Sequence, residues 1–127
     1  MISELMNTIE QVQGQVPITV FHLRGWLDGQ SEGELEKWAT EAYENGTRYL
    51  ILDMTELDTL TSAGMRAILK VYKLYTPEGA DKEYPNLMMT SAPPSVYKVL
   101  KITGFLKSIP MYESVQSAIN LFKAPPK

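Results

Sequence analysis

The sequence predicts a single α/β domain with a mixed, mostly parallel sheet of about five strands, packed by about four helices. Strand-like and helix-like segments alternate along most of the chain, which is typical of parallel strands joined by helices. RYLILDM at 48–54 is an apolar run closed by an acid, the pattern of a strand buried on both faces. With 127 residues, 44% of them apolar and 21% charged, the chain can form one hydrophobic core.

The opening elements are predicted to be two strands. TIEQV at 8–12 alternates apolar and polar residues, and ITVFHL at 18–23 is rich in β-branched and aromatic residues. GQVP at 14–17 supplies turn residues between them. This hairpin-like pair is what makes the predicted sheet mixed rather than wholly parallel.

A helix is predicted after Ser31. Ser31 and Glu34 have the spacing of a capping box, in which each side chain satisfies a free backbone donor of the other residue. Asn45-Gly46 is a typical helix end. The apolar positions recur at helical spacing, and they are Leu35, Trp38, Ala39, Ala42 and Tyr43.

The strand at 48–54 is expected to lead through a loop, TELDTLT at 55–61, into a second helix. SAGMRAILKVYKLY at 62–75 has the apolar periodicity of a helix, and Thr76-Pro77 stops it. PEGADKEYPN at 77–86 is the longest polar connection and is expected to be a mobile loop, and residues 76–86 have no assigned role.

The rest of the chain continues the alternation of strand and helix. The remaining predicted elements are a strand, a helix, a strand and a helix at 87–91, 94–104, 108–112 and 114–122. Residues 1–127 are therefore expected to form one domain with a core at about 8–122, and the tail 123–127 is expected to fray.

Composition argues against several classes of protein. The net charge is −3, and the scattered Lys98, Lys101 and Lys107 suit a solvated helix face better than a nucleic-acid surface. The absence of cysteine excludes disulfides and thiolate metal sites. No apolar run approaches the roughly 20 residues of a membrane span, and MISELMNTIEQ lacks a secretory pattern. A cytoplasmic protein without a cofactor, nucleic-acid partner or membrane partner is expected.

Catalysis has weak support in the sequence. The only histidine, His22, lies within a strand pattern, where we expect a half-buried side chain with its hydrogen bonds satisfied. Asp53, Glu56 and Asp58 could group after the strand, but carboxylates on a loop are more often solvated than metal-bound. No glycine-rich phosphate loop is present. We therefore expect neither an enzyme nor a metal site.

Asp53 allows two interpretations. An aspartate at the carboxyl end of a buried parallel strand is where receiver domains carry their phosphoacceptor. That chemistry also needs an acidic pair at the end of the first strand, and HLRGWLDG offers no adjacent acids. The favoured interpretation is that Asp53 caps the turn leaving its strand by accepting backbone hydrogen bonds.

Ser62 also allows two interpretations. A hydroxyl at a helix start caps free backbone N–H groups and needs no further function. The same position tolerates a phosphate, because the helix N-terminus favours anions. Such a phosphate is expected to lie near Asp53, Glu56 and Asp58 and to repel a partner that approaches. Gly64 would keep the surface bare for that partner.

The segment LILDMTELDTLTSAGMRAILKVYK resembles the signature of the STAS domain family, the bacterial anti-sigma factor antagonists. In that family a strand ends in Asp, and a short Asp/Ser-Ser-Ser/Thr/Ala-Gly stretch then opens a helix. These places are taken here by Asp53, Thr61, Ser62, Ala63 and Gly64. FHLRGWLDG looks like the family's second strand, with its ending at Gly25, Leu27 and Asp28. The closing segment 93–122 is similar as well, so the resemblance spans about residues 8–122.

The resemblance implies a non-catalytic domain that binds an anti-sigma factor, itself a serine kinase of the histidine-kinase-like ATPase class. The kinase would phosphorylate Ser62 and release it, and a metal-dependent serine phosphatase would reverse the step, so that transcription switches by partner exchange. Thr61 replaces the family's Asp and is an alternative acceptor. The implied partner-binding residues are Asp28, Asp53, Asp58, Thr61, Ser62, Ala63, Gly64, Met65 and Arg66.

A second hypothesis is a STAS scaffold or small-ligand-sensing module without a phosphorylation switch. The sequence leaves open the identity of the kinase, the sigma factor and the signal. It also leaves open whether the chain forms a homodimer.

Overall fold

The computed structural model describes residues 4–77 and 85–124, and within them five strands form one mixed sheet. The strands lie side by side in chain order, with β1 antiparallel to β2 and every later pair parallel. The elements are β1 Met6–Gln13, β2 Pro17–Leu27, α1 Glu32–Glu44, β3 Leu50–Leu60, α2 Ser62–Tyr75, β4 Leu87–Thr90, α3 Pro94–Ile102, a 3-10 turn Phe105–Lys107, β5 Met111–Tyr112 and α4 Val115–Leu121. The predicted α/β class with a mostly parallel sheet is confirmed.

The predicted loop at 55–61 is wrong, because β3 continues through these residues as far as Leu60. β2 is longer than predicted as well, and it pairs with β3 from Thr19 opposite Leu50 to Leu27 opposite Leu60. Two register shifts interrupt the pairing, after His22 and after Gly25. Bulges of this kind leave extra residues facing solvent. They explain why a continuous strand has the polar composition of a loop.

The sheet separates two hydrophobic clusters. On one face, α1, α2 and α3 cover alternate strand residues such as Leu50 and Leu52. On the other face, Ala118 and Phe122, from α4 and its end, cover residues such as Ile51. β3 is therefore buried on both faces over this stretch, as its apolar run predicted.

The predicted loop at 77–86 falls largely outside the described residues, and so does the end of the predicted tail at 125–127.

His22 connects three strands on the face that α4 covers only in part. Its Nδ1 lies 2.6 Å from Oδ2 of Asp53 on β3, and its Nε2 lies 2.8 Å from Oε1 of Glu10 on β1. The predicted half-buried histidine with satisfied hydrogen bonds is confirmed. Two carboxylates facing both ring nitrogens favour the imidazolium form, because only that form donates from both nitrogens.

The pKa of His22 is set by opposing effects. Burial alone lowers it, but the hydrogen bonds to Glu10 and Asp53 and the charges of these carboxylates outweigh burial and raise the pKa above its usual 6.5. A histidine whose pKa is raised on folding stabilises the fold fully below its unfolded pKa. That contribution is lost as the pH rises through the folded value.

Gly64 allows the start of α2 to pack directly against the end of β2. A Cβ built on Gly64 would lie 2.2 Å from the carbonyl oxygen of Leu27, a distance that real Cβ atoms do not reach. Gly64 is buried, so the expectation that it keeps the outer surface bare for a partner is wrong. The residue instead permits a close approach of helix to strand.

We expect His22→Gln to lower the free energy of unfolding at low pH and to have a shrinking effect as the pH rises. The wild-type advantage should be fully present below pH 6.5 and should be lost through the higher pKa of the folded state. Urea unfolding of both proteins at several values between about pH 5.5 and about pH 9 measures this difference. A pH-independent difference would contradict the imidazolium assignment.

We expect Gly64→Ala to lower the free energy of unfolding by about 2–3 kcal/mol, because the new methyl group overlaps a backbone carbonyl that cannot move aside easily. Gly33→Ala is the matched control in α1, since a Cβ there meets nothing within 4 Å. The control should be neutral or stabilising by up to about 1 kcal/mol. Equal losses in the two variants, measured by urea unfolding, would refute the packing role of Gly64.

Candidate functional site

The junction of β3 and α2 exposes the hydroxyl group of Ser62. Thr61, not Ser62, is the N-cap, and its Oγ1 accepts a hydrogen bond of 3.3 Å from the backbone N–H of Gly64. The N–H of Thr61 in turn donates to the carbonyl of Leu27 at 3.1 Å. Ser62 is the first residue of the helix and is exposed, and its hydroxyl has no hydrogen-bond partner within 4–77 and 85–124. The side chain is therefore free to react or to meet a partner.

The turn between β2 and α1 lies against this junction. A Cβ built on Gly29 would be 3.7 Å from the Cβ of Ala63. Asp28 holds the turn in shape, because its Oδ1 accepts hydrogen bonds from the N–H groups of Gln30 at 3.0 Å and Ser31 at 3.2 Å. Asp28 therefore stabilises the turn whose Gly29 lies beside Ala63.

The predicted capping box of α1 is wrong. Ser31 is the N-cap, but its side chain makes no capping hydrogen bond. Its Oγ donates to the carbonyl of Trp26 at 2.8 Å and accepts from the N–H of Asp28 at 3.0 Å. The hydroxyl thus faces the preceding turn rather than the helix, because the turn has its own unsatisfied backbone groups.

The first turn of α2 also contacts the end of α3. Met65 is buried, and its sulfur accepts a hydrogen bond of 3.6 Å from Oγ1 of Thr103. Arg66 is exposed one helical turn after Ser62, on the same side of the helix. We call Ser62, Ala63, Met65 and Arg66 together the Ser62 surface.

Asp53 lies far from the Ser62 surface. Along β3 it is seven residues from Leu60, or about 23 Å at roughly 3.3 Å per residue. Its Oδ2 bonds to His22, and its Oδ1 accepts from the N–H of Thr55 at 3.1 Å and from Oγ1 of Thr55 at 2.6 Å. The predicted backbone hydrogen bond is confirmed, but it lies within the strand and not in a turn leaving it. The predicted proximity of Asp53 to Ser62 is wrong.

The other two acids, Glu56 and Asp58, line one shallow pocket with Arg24 and Gly25, but each has a different partner. Glu56 forms an ion pair with Arg24 at 2.9 Å between its Oε2 and the arginine Nε. Asp58 is exposed and accepts a hydrogen bond of 3.3 Å from Nε1 of Trp26. The expected cluster of three carboxylates beside Ser62 therefore does not form. Of the three acids, Asp58 is the one nearest to Ser62 along the chain.

Two residues that contact the Ser62 surface could not be identified from the local sequence. Gly29 and Thr103 reach it only through tertiary contacts with Ala63 and Met65. Their positions in the chain, one before α1 and one after α3, give no indication that both lie beside α2.

None of the helices in the described part of the chain is both long and apolar enough to cross a membrane.

Comparison with known proteins points to one family. The family model for the STAS domain matches residues 10–118. A Bordetella bronchiseptica protein named as an anti-sigma factor antagonist, BtrV, is 29% identical over 117 residues, covering 91% of this chain and 93% of that protein. The anti-sigma F factor antagonist of Paenibacillus polymyxa is 23% identical over 115 residues, covering 90% and 94%.

Solved structures share the fold. An anti-sigma factor antagonist from Mycobacterium paratuberculosis superimposes with a TM-score of 0.74 at 20% identity, covering 92% of each chain. The unphosphorylated form of the antagonist SpoIIAA gives a TM-score of 0.68 at 19% identity, covering 91% of this chain and 94% of SpoIIAA. The family model spans most of the chain, and these structures have the same arrangement of sheet and helices. The chain therefore belongs to the STAS domain family.

Proposed function

We propose that this protein is an anti-sigma factor antagonist whose binding to an anti-sigma factor is switched by phosphorylation of Ser62. The observation that carries the proposal is the exposed hydroxyl of Ser62 at the start of α2, with no hydrogen bond to any described residue. The names of the relatives BtrV and the Paenibacillus antagonist support the same class of function. The partner in this proposal is a serine kinase of the histidine-kinase-like ATPase class.

Ser62 is favoured over Thr61 as the phosphate acceptor. The Thr61 oxygen is engaged by the N–H of Gly64, and phosphorylation there would disrupt the cap of α2. Phosphorylation of Ser62 breaks no hydrogen bond to a described residue, and the phosphate would lie where the helix N-terminus favours negative charge. The modified protein would therefore keep its fold and change only its surface.

The phosphate would act on the partner through charge. It adds about −1.5 to −2 charges at pH 7 to the centre of the proposed interface, where a bound partner would have to desolvate it. The kinase would thus release its own product, and a metal-dependent serine phosphatase would restore binding. In this scheme the domain catalyses nothing, and transcription responds because the free antagonist displaces the sigma factor.

A small-ligand-sensing module is the second candidate, and a groove between β1 and the end of α1 favours it. The groove encloses about 600 Å³. Its lining is mixed: Ile9, Trp38 and Tyr49 are apolar or aromatic, while Glu41 and Arg48 bring one charge of each sign. A compound that bound only the folded protein in this groove would raise the melting temperature, by an amount that grows with the logarithm of its concentration above the Kd.

We expect Ser62→Asp to bind the kinase about 5- to 150-fold more weakly than Ser62→Ala, because only the first variant places a negative charge in the interface. Titration calorimetry with the purified histidine-kinase-like serine kinases of the host measures this difference. Ser95→Asp is the matched control, since Ser95 is exposed in the first turn of α3 and gains the same charge there. Equal affinities of the two Ser62 variants would contradict the switch.

We expect incubation with the kinase and ATP to add one phosphate at Ser62, detectable by peptide mass spectrometry. Ser62→Ala should abolish labelling because it removes the free hydroxyl. Thr61→Val should retain labelling while it lowers stability by about 1 kcal/mol through loss of the cap. Labelling that persists in Ser62→Ala and disappears in Thr61→Val would transfer the acceptor role to Thr61.

A further inference from the structure

The Ser62 surface is too small to form a stable interface by itself. Specific interfaces bury about 800 Å² on each partner and involve roughly 20 residues or more. A partner centred on Ser62 must therefore also cover the segments that touch α2 at this end. Two such segments are identified by their contacts, the turn at Gly29 beside Ala63 and the end of α3 at Thr103 beside Met65.

These two segments differ in what they offer a partner. The turn at 28–31 presents small and polar side chains, and its carboxylate at Asp28 is occupied by the turn itself. The end of α3 presents Ile102, which is 71% exposed, the largest exposure of any large apolar residue in the described part of the chain. Most of the free energy at protein interfaces comes from a few side chains that become fully desolvated. Ile102 is the side chain beside this site with the most apolar surface to bury.

Two cations accompany Ile102. Lys101 precedes it at the end of α3, and Arg66 follows Met65, the residue of α2 that contacts Thr103. Both are exposed, and neither has an ion-pair partner among residues 4–77 and 85–124. An exposed apolar side chain on a surface that also carries unpaired cations is complementary to an apolar pocket with acidic groups at its rim.

We propose that Ile102 is the apolar anchor of the interface with the anti-sigma factor kinase, and that the kinase receives it in an apolar pocket rimmed by acidic side chains. This inference rests on the proposed function and adds the chemistry of the partner. It also gives a reason for release, because a phosphate on Ser62 beside Arg66 would offset the cation and repel the acidic rim.

The test compares Ile102→Ser with Leu121→Ser. Leu121 is 52% exposed on α4, which packs on the opposite face of the sheet. Leu121→Ser therefore removes a similar apolar side chain at a position away from Ser62. Binding of the purified host kinases is measured by titration calorimetry. We expect Ile102→Ser to weaken binding about 10-fold or more and Leu121→Ser to leave it unchanged. Ile102→Met should retain most of the affinity, and thermal unfolding should show all three variants folded.

The rate of association and its dependence on salt concentration provide a second measurement. Lys101→Ala and Arg66→Ala should each slow association and reduce its dependence on salt concentration, because rim charges steer the encounter. If neither association nor salt dependence changes, the acidic rim is refuted.

The outcomes separate this inference from the proposed function. If Ser62→Asp weakens binding while Ile102→Ser binds like wild type, the anchor is refuted and the switch stands. If Ile102→Ser and Leu121→Ser weaken binding equally, the anchor is refuted as well. If no host kinase of this class binds the wild-type protein, the proposed function fails, and the anchor fails with it.

Discussion

The carbonyl group of Leu27 organises the end of the molecule at which α2 begins. Its oxygen accepts the N–H of Thr61, and the same carbonyl leaves no room for a side chain at Gly64. These two contacts set α2 directly on the end of β2. Thr61 is thereby placed in the capping position and Ser62 is directed outward. A larger residue at Gly64 would force the helix away from the strand and displace the cap with it.

The elements of the fold were largely predictable because their periodicities are strong. α2 was predicted with the bounds it has, since apolar residues at helical spacing are framed by Thr61 and Thr76-Pro77. The end of β3 was not predictable from local sequence. Its residues after Asp53 are paired by β2 alone, with bulges that keep Leu57 and Leu60 buried. Only the tertiary pairing distinguishes such a bulged strand from a polar loop.

The candidate site was predictable at its centre but not around it. The stretch from Thr61 to Gly64 identified the start of the helix, but the sequence left open whether Ser62 caps it, and it placed Gly64 at the surface. Thr61 is the cap, Ser62 has the free hydroxyl, and Gly64 serves packing. Asp53 belongs to a different arrangement, in which His22 connects three strands. Spacing along the chain suggested that the acids would lie together, but a strand of this length separates them.

Thr61 caps α2 while Ser62 exposes its hydroxyl, and this separation of roles determines what kind of switch the site could support. If the reactive hydroxyl were also the cap, its modification would remove a helix-stabilising hydrogen bond and change the fold locally. Because Thr61 caps the helix, the proposed phosphate on Ser62 would change the charge of the surface without breaking any hydrogen bond among the described residues. A modification can shift a binding equilibrium only by the difference it makes to the free energies of the bound and free states. Here that difference would arise at the contact with the partner, so the strength of the switch would depend on the partner's charges as much as on this chain.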